Sequence, residues 1–149
     1  MAIKYSQKVV DHFLHPKNQG KIKNPDGIGK VGNISCGDVM YFYIKVDNGT
    51  IIDVRWETMG CAAAIAVSSI VSEMIKGKKI EEVLKLTNKD VLKELGELPP
   101  LKIHCSLLGI DALDEAIYNY MSKNNLPIPK DLEEKHKKEK EILEKIEGD

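Results

Sequence analysis

The sequence predicts an α+β fold in which a β-hairpin and the helices after it bring candidate metal ligands to one end of a small sheet. Two strand-like runs flank Asn48-Gly49, a pair that accepts the positive φ angles of a tight hairpin turn. Two longer stretches, residues 61–76 and 106–123, carry apolar residues at helical spacing. All three cysteines of the chain lie beside the ends of these elements.

The first predicted element is a short helix. Ser6 can cap it, and His15-Pro16 ends it, because the residue before a proline is pushed out of the helical region. The apolar face of this helix would be formed by Val9, Val10, Phe13 and Leu14. Residues 17–32 are rich in Gly, Asn, Pro and Lys and are interpreted as a loop.

The hairpin strands are predicted at residues 39–46 and 51–56, which are rich in β-branched and aromatic residues. A preceding strand near residues 29–34 is only weakly indicated. A hairpin brings its outer ends together. Cys36, just before the hairpin, and Cys61, just after it, are therefore expected to be neighbours.

Helices are predicted for most of the chain after the hairpin. The helix at residues 61–76 begins with small residues that allow close packing on a sheet. Two shorter helices follow at residues 80–86 and 89–95. The helix at residues 106–123 has a broad apolar face.

Composition indicates one domain, expected to span residues 1–127, with a charged helix or tail at residues 128–149. The last twenty residues carry Glu and Lys at helical spacing and are interpreted as a solvated, partly frayed helix rather than as core. The net charge is −1 and Arg55 is the only arginine, so neither nucleic acid nor a membrane surface is expected as a partner.

A cytoplasmic location is the expectation, because the chain shows neither an apolar signal core nor an apolar run long enough to span a membrane. In a reducing compartment, three cysteines favour metal binding or thiol chemistry over disulfides. Three thiols (Cys36, Cys61, Cys105) and one imidazole (His104) form a ligand set for zinc or for an iron–sulfur cluster.

Asp38 lies two residues after Cys36 and would supply a hard oxygen ligand, which matches these metals less well than sulfur. A site that uses oxygen or imidazole in place of a fourth thiolate is expected to hold its metal less tightly. Cys61 begins a helix, where the helix dipole favours a thiolate. His104 and Cys105 lie at the start of the helix at residues 106–123.

Other interpretations of these residues stay open at this point. Cys61 could be a small buried residue beside alanines, and Asp38 an ordinary turn residue. A catalytic Cys–His pair would need one thiolate, a nearby histidine, an orienting carboxylate and an oxyanion hole. The adjacent His104-Cys105 pair does not resemble that arrangement, and a thiol enzyme would leave two cysteines unexplained. His12, His15 and His136 lack nearby partners in sequence and are interpreted as surface or helix-end residues.

The chain closely resembles the U-type iron–sulfur cluster assembly scaffolds, the IscU family and the N-terminal domain of NifU. Four stretches carry the resemblance, and they occur in family order. These stretches are Tyr5-Ser6-Gln7-Lys8-Val9-Val10-Asp11-His12-Phe13, Cys36-Gly37-Asp38-Val39-Met40, Gly60-Cys61-Ala62-Ala63-Ala64-Ile65-Ala66 and Leu98-Pro99-Pro100-Leu101-Lys102-Ile103-His104-Cys105-Ser106.

The resemblance implies a small three-stranded antiparallel sheet with helices packed on it. It implies a scaffold rather than an enzyme, on which a labile [2Fe-2S] cluster is assembled and then passed on. Cys36, Cys61 and Cys105 match the cluster cysteines, Asp38 the aspartate associated with cluster lability, and His104 an alternative ligand. Cys105 is the favoured acceptor of persulfide sulfur. Zinc in the same site is the alternative, as in a zinc-binding structural or regulatory protein.

The resemblance also implies partners. These are a cysteine desulfurase, apoproteins that accept the cluster, and an Hsp70-type chaperone that binds Leu98, Pro99, Pro100, Leu101 and Lys102. The protein would be a monomer or a homo-oligomer bridged by the cluster. The chain departs from the family pattern at Leu101, where valine is usual, and at Ala62, where glycine is common.

Overall fold

The computed structural model describes residues 6–32, 38–96 and 103–147; for residues 103–106 and 146–147 it describes the backbone alone. The strands of this part of the chain are β1 (Gly27–Gly32), β2 (Val39–Asp47) and β3 (Thr50–Met59). Its helices are α1 (Gln7–Leu14), α2 (Ala62–Ile75), α3 (Ile80–Val83), α4 (Asn88–Leu95), α5 (Ile103–Lys123) and α6 (Lys130–Glu147).

The three strands form one antiparallel sheet in the order β1-β2-β3, which confirms the predicted fold class. The hairpin turn lies where the sequence predicts it, with φ of 54° at Asn48 and 79° at Gly49. β1 confirms the weakly indicated strand at residues 29–32, and it corrects the loop interpretation of residues 17–32, because the strand begins at Gly27.

Helix α1 begins as predicted, since the Ser6 hydroxyl accepts a hydrogen bond from the Val9 amide at 3.2 Å. The same hydroxyl donates to the Leu95 carbonyl at 2.7 Å and so ties α1 to α4. The predicted apolar face is wrong in part. Val9 is buried, but Phe13 and Leu14 are 41% and 60% exposed.

The core lies between one face of the sheet and helices α2 and α5. Phe42 on β2 and Trp56 on β3 are fully buried there, and α2 packs on β3 while α5 packs on β1 and β2. The Trp56 indole donates to the Lys17 carbonyl at 2.7 Å, which satisfies its one polar atom.

Two glycines of β1 let α5 lie almost against the strand backbone. A Cβ atom on Gly29 would stand 2.0 Å from the Ala112 carbonyl oxygen, and one on Gly27 would stand 2.2 Å from the Ala116 carbonyl oxygen. Later residues of β1 therefore face earlier residues of α5. The first turn of α5 must lie toward the Gly32 end of the sheet.

The C-terminal segment is a helix, α6, that packs on α5 and β1. The expectation of a solvated tail is wrong for its inner face, where Leu132 is 5% exposed and Glu139 is 7% exposed. Among the described residues, no helix is both long and apolar enough to cross a membrane.

We expect Gly29→Ala to destabilise the fold strongly. The added methyl group overlaps the backbone of α5, and overpacking of this kind costs about 1–3 kcal/mol or more. Guanidinium unfolding followed by Trp56 fluorescence should show a clearly lower midpoint. Ile28→Ala, at the 43% exposed neighbouring position, is the control and should change the free energy of unfolding by less than about 1 kcal/mol. Equal effects of the two changes would contradict the close approach of helix and strand.

Candidate metal centre

The register of the hairpin fixes the position of Asp38. Val39 pairs with Met59 at the open end of the β2–β3 ladder, so Asp38 and Gly60 follow as the next residues on each strand. The contact is close. A Cβ atom on Gly60 would stand 3.0 Å from Asp38 Cγ and 3.1 Å from Asp38 Oδ2. Glycine at this position leaves room for the carboxylate.

Asp38 is buried without full compensation. Its side chain is 8% exposed, and within the described part of the chain its Oδ2 has no hydrogen-bond partner. Buried carboxylates are normally paired or hydrogen-bonded, because an unpaired one loses its hydration without gaining a compensating interaction. An oxygen held in this way is available to a cation.

Cys61 is the N-cap residue of α2 and directly follows Gly60. Its backbone is extended, with φ −78° and ψ 174°, and its side chain makes no capping hydrogen bond to the helix. The residue is half-buried, at the helix end where unpaired backbone N–H groups stabilise negative charge. A sulfur ligand and an oxygen ligand are thus next to each other at the end of the hairpin.

The first turn of α5 lies at the same end of the sheet. The helix begins at Ile103, three residues earlier than predicted, so the backbone of His104 and Cys105 belongs to its first turn. α5 also crosses α2 closely, because a Cβ atom on Gly109 would stand 2.7 Å from Val67 Cγ1. The backbone therefore brings the starts of both helices toward Asp38.

The other predicted site residues lie outside what the structure describes. Cys36 falls in the gap between β1 and Asp38, and the side chains of His104 and Cys105 are not described. The predicted partner-binding segment Leu98, Pro99, Pro100, Leu101 and Lys102 is also outside the described residues. Among the side chains that are described, no three His, Cys, Asp or Glu residues gather as a metal site.

Two histidines that were interpreted as surface or helix-end residues make specific contacts. His12, in the last turn of α1, lies with Nδ1 2.6 Å from Ser69 Oγ. His136 stacks on Tyr118 with 3.8 Å between ring centroids, and its Nδ1 lies 2.9 Å from Glu115 Oε1. Sequence reasoning missed the second contact because it treated α6 as solvated.

Comparison with known proteins places the chain in a family. Residues 4–126 match the family model described as the NifU-like N terminal domain. The match covers most of the chain, so the protein belongs to the NifU-like N-terminal domain family. α6 lies beyond the matched region.

Curated relatives share about half of their residues with this chain. The iron-sulfur cluster assembly scaffold protein IscU 1 of Archaeoglobus fulgidus is 53% identical over 145 residues, which cover 97% of this chain and 94% of the relative. The protein named IscU in Escherichia coli K12 is 51% identical over 123 residues, covering 80% of this chain and 95% of the relative.

A solved structure supports the fold. The N-terminal part of a nitrogen-fixing NifU-like protein from Brucella abortus superposes with a TM-score of 0.67. The two chains are 21% identical, and the match covers 79% of this chain and 94% of the other.

We expect Asp38→Ala to stabilise the protein in the absence of metal. The change removes a buried carboxylate oxygen that lacks a partner, and such a group costs about 1–3 kcal/mol. Thermal or denaturant unfolding in the presence of a chelator should show this gain.

The matched control for that change is Asp53→Ala. The Asp53 carboxylate lies 3.7 Å from both Arg55 Nε and Lys76 Nζ, so its loss should leave stability unchanged or lower it by up to about 1 kcal/mol. A loss of stability in Asp38→Ala as large as that in the control, or larger, would contradict the uncompensated burial of Asp38.

Proposed function

We propose that this protein is a scaffold on which a transient [2Fe-2S] cluster is assembled from iron and sulfur and then transferred to acceptor apoproteins. The observation that carries the proposal is the buried Asp38 Oδ2, which has no hydrogen-bond partner in the described part of the chain and lies beside the Cys61 helix start. Membership of the NifU-like N-terminal domain family and the names of its relatives support it. These names favour the scaffold over the zinc-binding structural protein.

The proposed ligands divide by chemistry. Cys36, Cys61 and Cys105 would supply the thiolates that suit iron and sulfide, and Asp38 or His104 the remaining donor. Oxygen is the weaker partner for such a cluster. A carboxylate in the set therefore lowers the barrier to release, which a carrier needs and a permanent iron–sulfur protein does not.

The described residues support this division of roles. Cys61 lies at the N-terminal end of α2, on the side of the hairpin end where Asp38 is held. Asp38 is buried, and its Oδ2 has no hydrogen-bond partner among the described residues. Binding a cation there recovers the electrostatic stabilisation that burial removed.

The proposal includes partners and a location. A cysteine desulfurase would deliver sulfur as a persulfide, with Cys105 as the favoured acceptor. Apoproteins would receive the cluster, and an Hsp70-type chaperone would bind residues 98–102. The protein would act in the cytoplasm without catalysing turnover, as a monomer or as a cluster-bridged oligomer.

Anaerobic reconstitution with ferrous iron, cysteine, a cysteine desulfurase and dithiothreitol, which reduces persulfide sulfur to sulfide, tests this function. The wild-type protein should develop the visible absorption of a [2Fe-2S] centre and then lose it to an apo-ferredoxin. Cys36→Ala, Cys61→Ala and Cys105→Ala should each lose most of that absorption, because each removes a thiolate ligand.

Asp38→Ala should form the cluster but transfer it more slowly. If the carboxylate lowers the activation free energy of cluster release by about 1.4 kcal/mol, its loss should slow transfer about tenfold. Asp53→Ala should transfer the cluster as the wild type does.

Reconstitution of the three cysteine variants to wild-type absorption would refute the proposed ligand set. A zinc content of one per chain with no sulfide-dependent absorption would refute the scaffold function.

A further inference from the structure

A cluster of titratable side chains joins α6 to α5, beginning about two helical turns after the first turn of α5. α5 contributes Asp111, Asp114 and Glu115 to it, and α6 contributes Lys135, His136 and Glu139. Of these, Glu115 is 8% exposed and Glu139 is 7% exposed. Four carboxyl groups thus share a buried helix interface with one lysine and one histidine.

Lys135 neutralises only part of this charge. Its Nζ lies 2.8 Å from Asp111 Oδ1 and 2.5 Å from Asp114 Oδ2. Burial acts against the lysine's charge, but the two aspartates outweigh it and raise its pKa. One lysine between two aspartates leaves a net charge of −1 before either glutamate is counted.

Glu115 and His136 can satisfy each other with a single proton. His136 Nδ1 lies 2.9 Å and 3.0 Å from the two Glu115 oxygens. Burial raises the pKa of Glu115 to about 7 and lowers the pKa of His136. When α6 is released, His136 carries one proton below about pH 6.5. The pair therefore holds one proton in both the docked and the released state at acidic pH, and it adds little pH dependence to docking there.

Glu139 lies near one cation, Lys135, whose charge opposes the rise in the pKa of Glu139 but does not outweigh the other effects. The contact of Glu139 is Asp111, another carboxylate, and two carboxylates can share a hydrogen bond only if one of them keeps a proton. Burial, the charges of Asp111 and Glu115, and this hydrogen bond raise the pKa of Glu139 to about 7.

The remaining charges near α6 do not replace that proton. β1, which also packs on α6, carries one charged residue, Lys30, whose Nζ lies 5.5 Å from the centre of the Tyr41 ring. On α6 itself, Lys140 and Glu133 act on His136 with opposite effects on its pKa. Across a groove from α6 lie residues between α3 and α4 and the first residue of α4. Those that line the groove carry no charge: Leu84, Leu86, Thr87 and Asn88.

We propose that α6 is a proton-dependent clasp, held on α5 by a buried charge cluster that is complete only when Glu139 carries a proton. This inference concerns a surface outside the metal centre and stands independently of the proposed function. Rising pH removes the proton, leaves the buried Glu139 carboxylate next to the half-buried Asp111 carboxylate, and releases α6 from α5.

The direction of the pH effect on docking follows from the pKa of Glu139 in the docked and in the released state of α6. A released glutamate titrates near 4.5 and the docked one near 7. The docked state therefore binds more protons between these values. The contribution of this proton to docking is fully present below about pH 4.5 and is lost as the pH rises through about 7, with a change of at most tenfold per pH unit.

Release would change the surface close to the start of α5. α6 forms one wall of a groove of about 420 Å³, with Pro129 and Leu132 facing Leu107 and Ile110 of α5. Leu107 is already 45% exposed and lies two residues after Cys105. Opening the clasp would expose more of this apolar face next to the metal centre.

Native-state hydrogen exchange at pH 5.5 and pH 8 tests the clasp on the full-length protein. Protection factors, corrected for the intrinsic rate at each pH, give the opening equilibrium of residues 133–143. We expect that opening constant to rise by at least tenfold from pH 5.5 to pH 8, while amides of α2 change by less than twofold.

Glu139→Gln supplies the decisive comparison, because an amide can donate to Asp111 but cannot ionise. The variant should keep α6 protected at both pH values, with less than a threefold change. Glu134→Gln, at an exposed position of α6, is the matched control and should respond as the wild type does.

If Glu139→Gln fails to fold, Glu139→Met, which has a similar volume and no charge, takes its place. A wild-type opening constant that is the same at both pH values would overturn the proposal. So would a Glu139 variant whose pH response equals that of the wild type.

Discussion

The candidate centre depends on the pairing of β2 with β3. Because Val39 lies opposite Met59, the next residues on the two strands, Asp38 and Gly60, meet at the sheet edge, and α2 begins one residue later at its Cys61 cap. A register shift of one residue would turn Asp38 to the other face of the sheet. The position of the site is therefore set by the Asn48-Gly49 turn together with the register irregularity between Lys45 and Val46, both of which lie at the far end of the hairpin.

The centre also shows a conflict between stability and function. A buried aspartate with an unpartnered oxygen opposes folding, and Gly60 is small enough to leave that carboxylate in place. Strained or uncompensated groups persist when they serve a site. The same logic applies at the distant α5–α6 interface, where buried carboxyl groups make docking depend on a proton. In both places the fold tolerates an unfavourable group that makes an interaction reversible.

Local signals in the sequence predicted much of the fold, and tertiary contacts explain what they missed. The Asn48-Gly49 turn and the Ser6 cap are local, and both occur as predicted. β1 has little strand propensity because its glycines serve the approach of α5, which no local pattern reveals. The inner face of α6 was missed for a similar reason: the helical pattern alone gives Glu139 as an ordinary exposed glutamate, and only the packing of α6 on α5 places Asp111 and Glu115 near it. The sequence named all five candidate ligands, and among them the structure describes the side chains of Asp38 and Cys61.

The central claim is that Asp38 and Cys61 act on one metal because the hairpin makes them neighbours. A double-mutant cycle on zinc affinity tests it directly, with Asp38→Ala and Cys61→Ala measured singly and together by competition with a chelator. Ligands of one ion should couple by about 1 kcal/mol or more, whereas Asp53→Ala combined with Cys61→Ala should be additive within about 0.5 kcal/mol. Additive effects of Asp38→Ala and Cys61→Ala would contradict a shared centre.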